Sequence, residues 1–195
     1  MSDLSPQEAR ALIDAATAAT RRRLDVRLHE QLFAWGVAWV VGLSAMWWDV
    51  RDQQPYVGPG PLSLTVFAVL LGAALALTGA RTAMATRGIG GESERRGRVY
   101  GLTWTLGFLC LYAVDAAVSR QGAPPEVMGL VLGGGAIGLT GLMYLMSTAL
   151  WRNPATLVLG AWLLVLAAVA GFTGPVTLLL LGALGGGGAF AAAGV

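Results

Sequence analysis

Few residues of this 195-residue chain have side chains suited to chemistry. All 13 basic residues are Arg, so no lysine can form a Schiff base or complete a Walker-type phosphate loop. There is one His, His29, and one Cys, Cys110. A zinc, haem or iron–sulfur site built by the chain alone needs more ligands than these, so no cofactor is expected. The sequence has no Gly-x-Ser-x-Gly nucleophile elbow and no His–Glu metal helix, and the expectation is a protein that is not an enzyme. Gly133-Gly134-Gly135-Ala136-Ile137-Gly138 matches the dinucleotide fingerprint letter for letter. That fingerprint works only between a strand and a helix of a βαβ unit, and here it lies inside an apolar run.

Three groups of residues keep a chemical reading. Asp115 is the one acidic residue well inside an apolar segment, where a carboxylate is a functional candidate by default. Arg120 follows five residues later, and Asp49 and Trp48 fall at a similar depth. Asp49, Asp115, Arg120 and Trp48 therefore form a candidate outer-side polar site; for Asp115 a structural ion pair with Arg120 stands beside a proton or cation site, and a transport role predicts an outward pocket of Asp115, the 49–61 loop and Trp47 or Trp48. Arg21, Arg22, Arg23 and Arg27 suit anionic lipid headgroups or an acidic partner, beyond their role in setting topology. Gly129/Gly133, Gly134/Gly138 and Gly182/Gly186 are spaced four apart, which lets helices approach closely in lipid. These glycines make spans four and six an expected close pair, or one of them a homo-oligomer face. A helix broken at Gly133–Gly135 or at Gly185–Gly188 is the sharper alternative, because transporters bind substrate at such breaks.

These residues must be held by an all-α, polytopic membrane fold. Hydrophobic residues make up 55% of the chain and charged residues 12%, about half the charged share of a soluble domain. A soluble fold could not hide so much apolar surface. Six apolar segments of near bilayer-crossing length fall at about 31–50, 61–80, 99–118, 126–150, 154–172 and 175–195. Pro61, Pro125, Pro154 and Pro175 stand at first-turn positions, where a missing N–H costs nothing. Ser5-Pro6-Gln7-Glu8 is a capping box that starts an amphipathic cytoplasmic helix over residues 1–30, running directly into a bundle over residues 31–195. The first thirty residues lack the apolar core of a signal peptide. The short later loops make spans four to six a tight antiparallel meander.

Eleven of the 13 arginines fall on one side of this arrangement, leaving Arg51 and Arg120 on the other. The positive-inside rule then puts both termini in the cytoplasm of a multi-pass plasma-membrane protein. The net charge of +2 and pI near 9.1 follow from this topology, and no nucleic-acid partner is expected. The abrupt stop at Val195, with no charge after the last span, raises the expectation of a further tail.

The Ser5-Pro6-x-Glu8-Ala9 start, the Arg-rich helix and the run Arg51-Asp52-Gln53-Gln54-Pro55-Tyr56-x-Gly58-Pro59 resemble a group of small integral membrane proteins of actinobacteria. The resemblance covers mainly residues 1–62 and implies a small membrane protein, sometimes encoded beside a winged-helix regulator. It implies no particular activity and transfers no functional residue. The expected function is a small membrane component of a transport system that binds or passes a small molecule. The alternative is an accessory protein docking a partner through helix 5–30 and loop 81–98. Expected partners are the lipid bilayer, a transport subunit or cytoplasmic regulator, and a second copy of the chain.

Overall fold

The computed structural model describes residues 5–85 and 91–195; within these, the side chains of residues 13, 16–28, 85, 92 and 93 are outside the description. The chain is all-helical, in the order α1 (Pro6–Val50), α2 (Pro61–Ala85), α3 (Glu92–Arg120), α4 (Pro125–Trp151), α5 (Pro154–Gly171), α6 (Pro175–Leu181), a π-helical segment (Gly182–Gly187) and α7 (Gly188–Ala193). Six stretches are long and apolar enough to cross a membrane: His29–Val50, Pro61–Met84, Glu94–Arg120, Pro125–Trp151, Pro154–Gly171 and Pro175–Ala193. Large apolar side chains face outward along them, with Leu62 80% and Val158 70% exposed, as a lipid solvent permits. This is an integral membrane protein.

Local chemistry sets the helix ends. Ser5 and Glu8 exchange the two bonds of a capping box, at 3.3 and 2.8 Å. Helix α1 then runs unbroken through residue 30 into the first span. Its 45 residues reach about 68 Å, about twice the hydrocarbon core. Helices α2, α4, α5 and α6 all begin at the expected prolines. The Asn153 side chain caps α5 through the Ala155 N–H at 2.9 Å, after Arg152 has turned the chain at φ 53°. Arg10 and Asp14, spaced to pair, form no ion pair among the described residues, whereas Glu94 and Arg98 pair at 2.6 Å.

Helix α1 is the axis of the bundle. On one side it holds α2 through the Trp35–Thr78 hydrogen bond at 3.0 Å and the Arg81–Glu30 ion pair at 2.7 Å. On the other it meets the last span at backbone distance, Gly36 against Ala191 and Gly187 against Val40. Helices α4 and α5 meet at Gly141 and Gly160, each lying against the other's carbonyl oxygen. Helix α3 packs chiefly on α4, with Leu111 against Gly135 and Leu139 against Gly107. Leu163, Ala170, Ala183 and Phe190 form the buried centre. From Phe190 aromatic rings step in edge contact to Trp39 at 5.2 Å and to Tyr144 at 5.4 Å, and from Tyr144 to Trp104 at 6.2 Å.

The glycine rows pack, but the closest approaches lie elsewhere. Gly129 meets Pro175, Gly133 and Gly134 meet Leu178, and Gly182 meets Leu43 and Ile137. Gly138 faces Ala167 across the α4–α5 contact, and Gly186 lies against Trp39 of α1. Helix α4 is continuous through Gly133–Gly135. In the last span the glycine run widens the helix to π geometry without unwinding it, and the Trp162 indole N–H donates to the Gly185 carbonyl at 2.9 Å.

Candidate functional site

The α1–α2 connection is built around Gln53. Its amide oxygen accepts from the Val57 and Gly58 N–H groups at 3.0 and 3.1 Å, and its amide nitrogen donates to the Gly58 carbonyl at 3.0 Å. Gly58, at φ 108°, takes a turn that a side chain would strain. Asp49 closes the connection by accepting from the Gly60 N–H at 2.5 Å and the Ser63 hydroxyl at 2.7 Å. It thereby satisfies donors at the start of α2, where a negative charge is favoured.

So held, residues Tyr56–Pro59 arch over the ends of α3 and α4 that lie on their side of the bundle. Between them is a cleft of about 360 Å³, lined by the arch, by Asp115 and Ser119 of α3, and by Pro125, Met128, Gly129 and Leu132 of α4. Asp115 and Ser119 share one face of α3 because they are four residues apart. Gly129 leaves room for the arch, since a Cβ there would sit 3.0 Å from the Tyr56 hydroxyl and 3.0 Å from Pro175. Burial of Tyr56, and then the nearby negative charge of Glu126, raise the phenol above its usual pKa and keep it a hydrogen-bond donor.

The Asp115 Oδ1 atom is buried and has no hydrogen-bond partner among the described residues. A buried carboxylate oxygen without a partner is costly, and native folds rarely leave one. The cleft wall therefore carries one carboxylate, shielded at Oδ1 and unpaired there, among largely apolar neighbours, the usual chemistry of a small-molecule site.

Of the four candidate polar residues, Asp115 alone lines the cleft. Asp49 serves the α2 start. Trp48 is 64% exposed, with the Arg51 guanidinium 3.4 Å above its ring. Arg120 is exposed on the last turn of α3 and forms no ion pair with Asp115 among the described residues. Arg21, Arg22, Arg23 and Arg27 lie on helix α1, with side chains outside the described residues. Sequence reasoning singled out neither Ser119 nor, beyond the 49–61 loop that holds them, Tyr56 and Gln53. The i,i+4 spacing of Asp115 and Ser119 was the signal for one of them. Among the described residues no cluster of three His, Cys, Asp or Glu side chains is placed to hold a metal ion. No family model, curated protein or solved structure matches the chain.

Proposed function

We propose that this protein is a small component of a membrane transport system that takes up a small molecule in the Asp115 cleft, with the cleft opening outside the cell and both termini in the cytoplasm. The observation that carries this reading is the buried, unpartnered Asp115 Oδ1 in the wall of a roughly 360 Å³ cleft. The volume falls at the low end of the range of small-molecule pockets, about 300–1,000 Å³. Ion-coupled transporters carry ionisable groups near the bilayer centre, and the middle of each span is free of charged residues. That absence favours a subunit that works with a partner.

One observation favours the accessory reading as a second possibility. Residues 6–28 continue α1 beyond the span by about 34 Å, a helix well placed to meet a soluble protein. Loop 81–98 would join it, although residues 86–90 of that loop lie outside the described residues.

Gentle extraction and native mass spectrometry test the proposal. The expected complex carries a small molecule and a stoichiometric membrane or ATP-hydrolysing subunit. The small molecule is lost from Gly129→Leu, whose side chain displaces Tyr56. A chain that emerges alone and empty overturns the transport reading. A soluble regulator lost on deleting residues 6–28 favours the accessory one.

A further inference from the structure

The charge pattern of the cleft selects its ligand, provided that the binding role proposed above holds. Asp115 supplies the one formal charge in the lining, and it is negative. Glu126 adds to this from the start of α4, near enough to oppose ionisation of Tyr56. Neither outer arginine enters the lining. Arg51 pairs with Asp52 at 3.0 Å and covers Trp48, and Arg120 is exposed. An anion entering the cleft meets like charge with no countercharge.

A hard metal ion is also a poor match. Calcium or magnesium takes about six or more oxygen ligands. The cleft side chains offer one carboxylate, the Ser119 hydroxyl and the Tyr56 phenol. The rest of the wall is Val57, Pro59, Met128, Leu132 and their neighbours, which suits an apolar body. The Asp115 carboxylate accepts no hydrogen bond among the described residues, and a protonated amine can donate one where a quaternary ammonium cannot. The Tyr56 ring offers a second, weaker attraction for a cation.

We infer that the cleft binds a protonated primary or secondary amine with a compact apolar body, its N–H donating to the Asp115 carboxylate. Three probes of one shape and different charge test this on the full chain in lipid nanodiscs: benzylammonium, benzyl alcohol and benzoate, by titration calorimetry. The expected order is benzylammonium first, benzyl alcohol at least about tenfold weaker, and benzoate not detectable. Asp115→Asn is expected to weaken benzylammonium by about 10- to 100-fold, the loss of one charge-assisted hydrogen bond, and to leave benzyl alcohol unchanged. Equal binding of the charged and neutral probes, with both lost in Gly129→Leu, overturns the amine inference and leaves the cleft as a binding site. An insensitive Asp115→Asn does the same. If none of the three probes binds and native mass spectrometry finds no molecule that Gly129→Leu removes, the cleft reading fails and the inference with it. The comparison of probes on the unaltered chain stands even where Asp115→Asn fails to fold.

Discussion

Replacing either glycine at the α4–α5 crossing with alanine forces the two helices apart. A Cβ on Gly160 would lie 2.8 Å from the Gly141 carbonyl oxygen and 2.8 Å from the Leu145 nitrogen. A Cβ on Gly141 would lie 2.9 Å from the Gly160 carbonyl oxygen. Ordinary contact begins near 3.4 Å, so the helices must separate by about 0.5 to 0.6 Å. The obstructing atoms are backbone, which cannot swing aside as a leucine terminus can. A gap of that size forfeits about a quarter or more of the dispersion energy of the contacts it opens, and overpacking of this kind costs about 1–3 kcal/mol. Gly141→Ala and Gly160→Ala should each destabilise by that amount. The double variant should cost less than the sum, because the first separation relieves the second clash. Gly72→Ala and Gly79→Ala on α2, where nothing lies within 4 Å, should be neutral or stabilising by up to about 1 kcal/mol. Unfolding in mixed detergent micelles, followed by near-ultraviolet circular dichroism, reads these differences. A Gly141→Ala variant within about 0.3 kcal/mol of the parent, or Gly79→Ala as costly as Gly160→Ala, would refute the packing argument.

Trp162→Phe removes the indole donor from the Gly185 carbonyl and should destabilise by about 0.5–1.5 kcal/mol, checked in the same titration. Asp49→Ala leaves the Gly60 N–H without its acceptor and the Ser63 hydroxyl with the Gly60 carbonyl alone; it should lower the melting temperature and loosen residues 58–63 in hydrogen exchange, with Asp49→Asn intermediate. The Glu8 carboxylate is held below its ordinary pKa of 4.5 by the Ser5 backbone N–H first and the Ser5 hydroxyl second. That contribution is present above pH 4.5 and is lost as pH falls through the lower folded value. Helical carbon shifts of residues 6–10 should therefore decline on acidification, and Glu8→Gln should show the same low helicity at both ends of the range.

The membrane architecture was legible because its signals are local. Length and apolar content set the number of spans and a proline marks the start of four of them, whereas α3 has none and begins at Glu92 rather than near 99; within a span, lipid leaves the backbone no alternative to a helix. The two-residue turn at Arg152-Asn153 likewise makes α4 and α5 neighbours. Which glycines meet was less legible, because small residues four apart occur on several faces and only the rotation of each helix selects one. Thr156 and Gly160 have that spacing, and Gly160 meets Gly141 backbone to backbone, although the triple glycine of α4 draws the eye first. The site shows the same division. The depth of Asp115 could be read by counting turns from the end of its span. Which residue shares its face could not be read from distance along the chain alone: Arg120, five residues on, is turned about 140° around the helix, whereas Ser119, four residues on, is turned about 40°. The arch of Tyr56 over Gly129 joins distant segments, and no local pattern announces it.

Thiol labelling on intact cells tests most directly whether the Asp115 cleft opens outside the cell. In a Cys110→Ser background, Ser119→Cys places a thiol in the cleft wall and Arg98→Cys places one near the opposite end of the same helix. A membrane-impermeant maleimide added outside should modify Ser119→Cys at once and Arg98→Cys only after permeabilisation. The reverse pattern, or a Ser119→Cys thiol that reacts from neither side, would contradict the account.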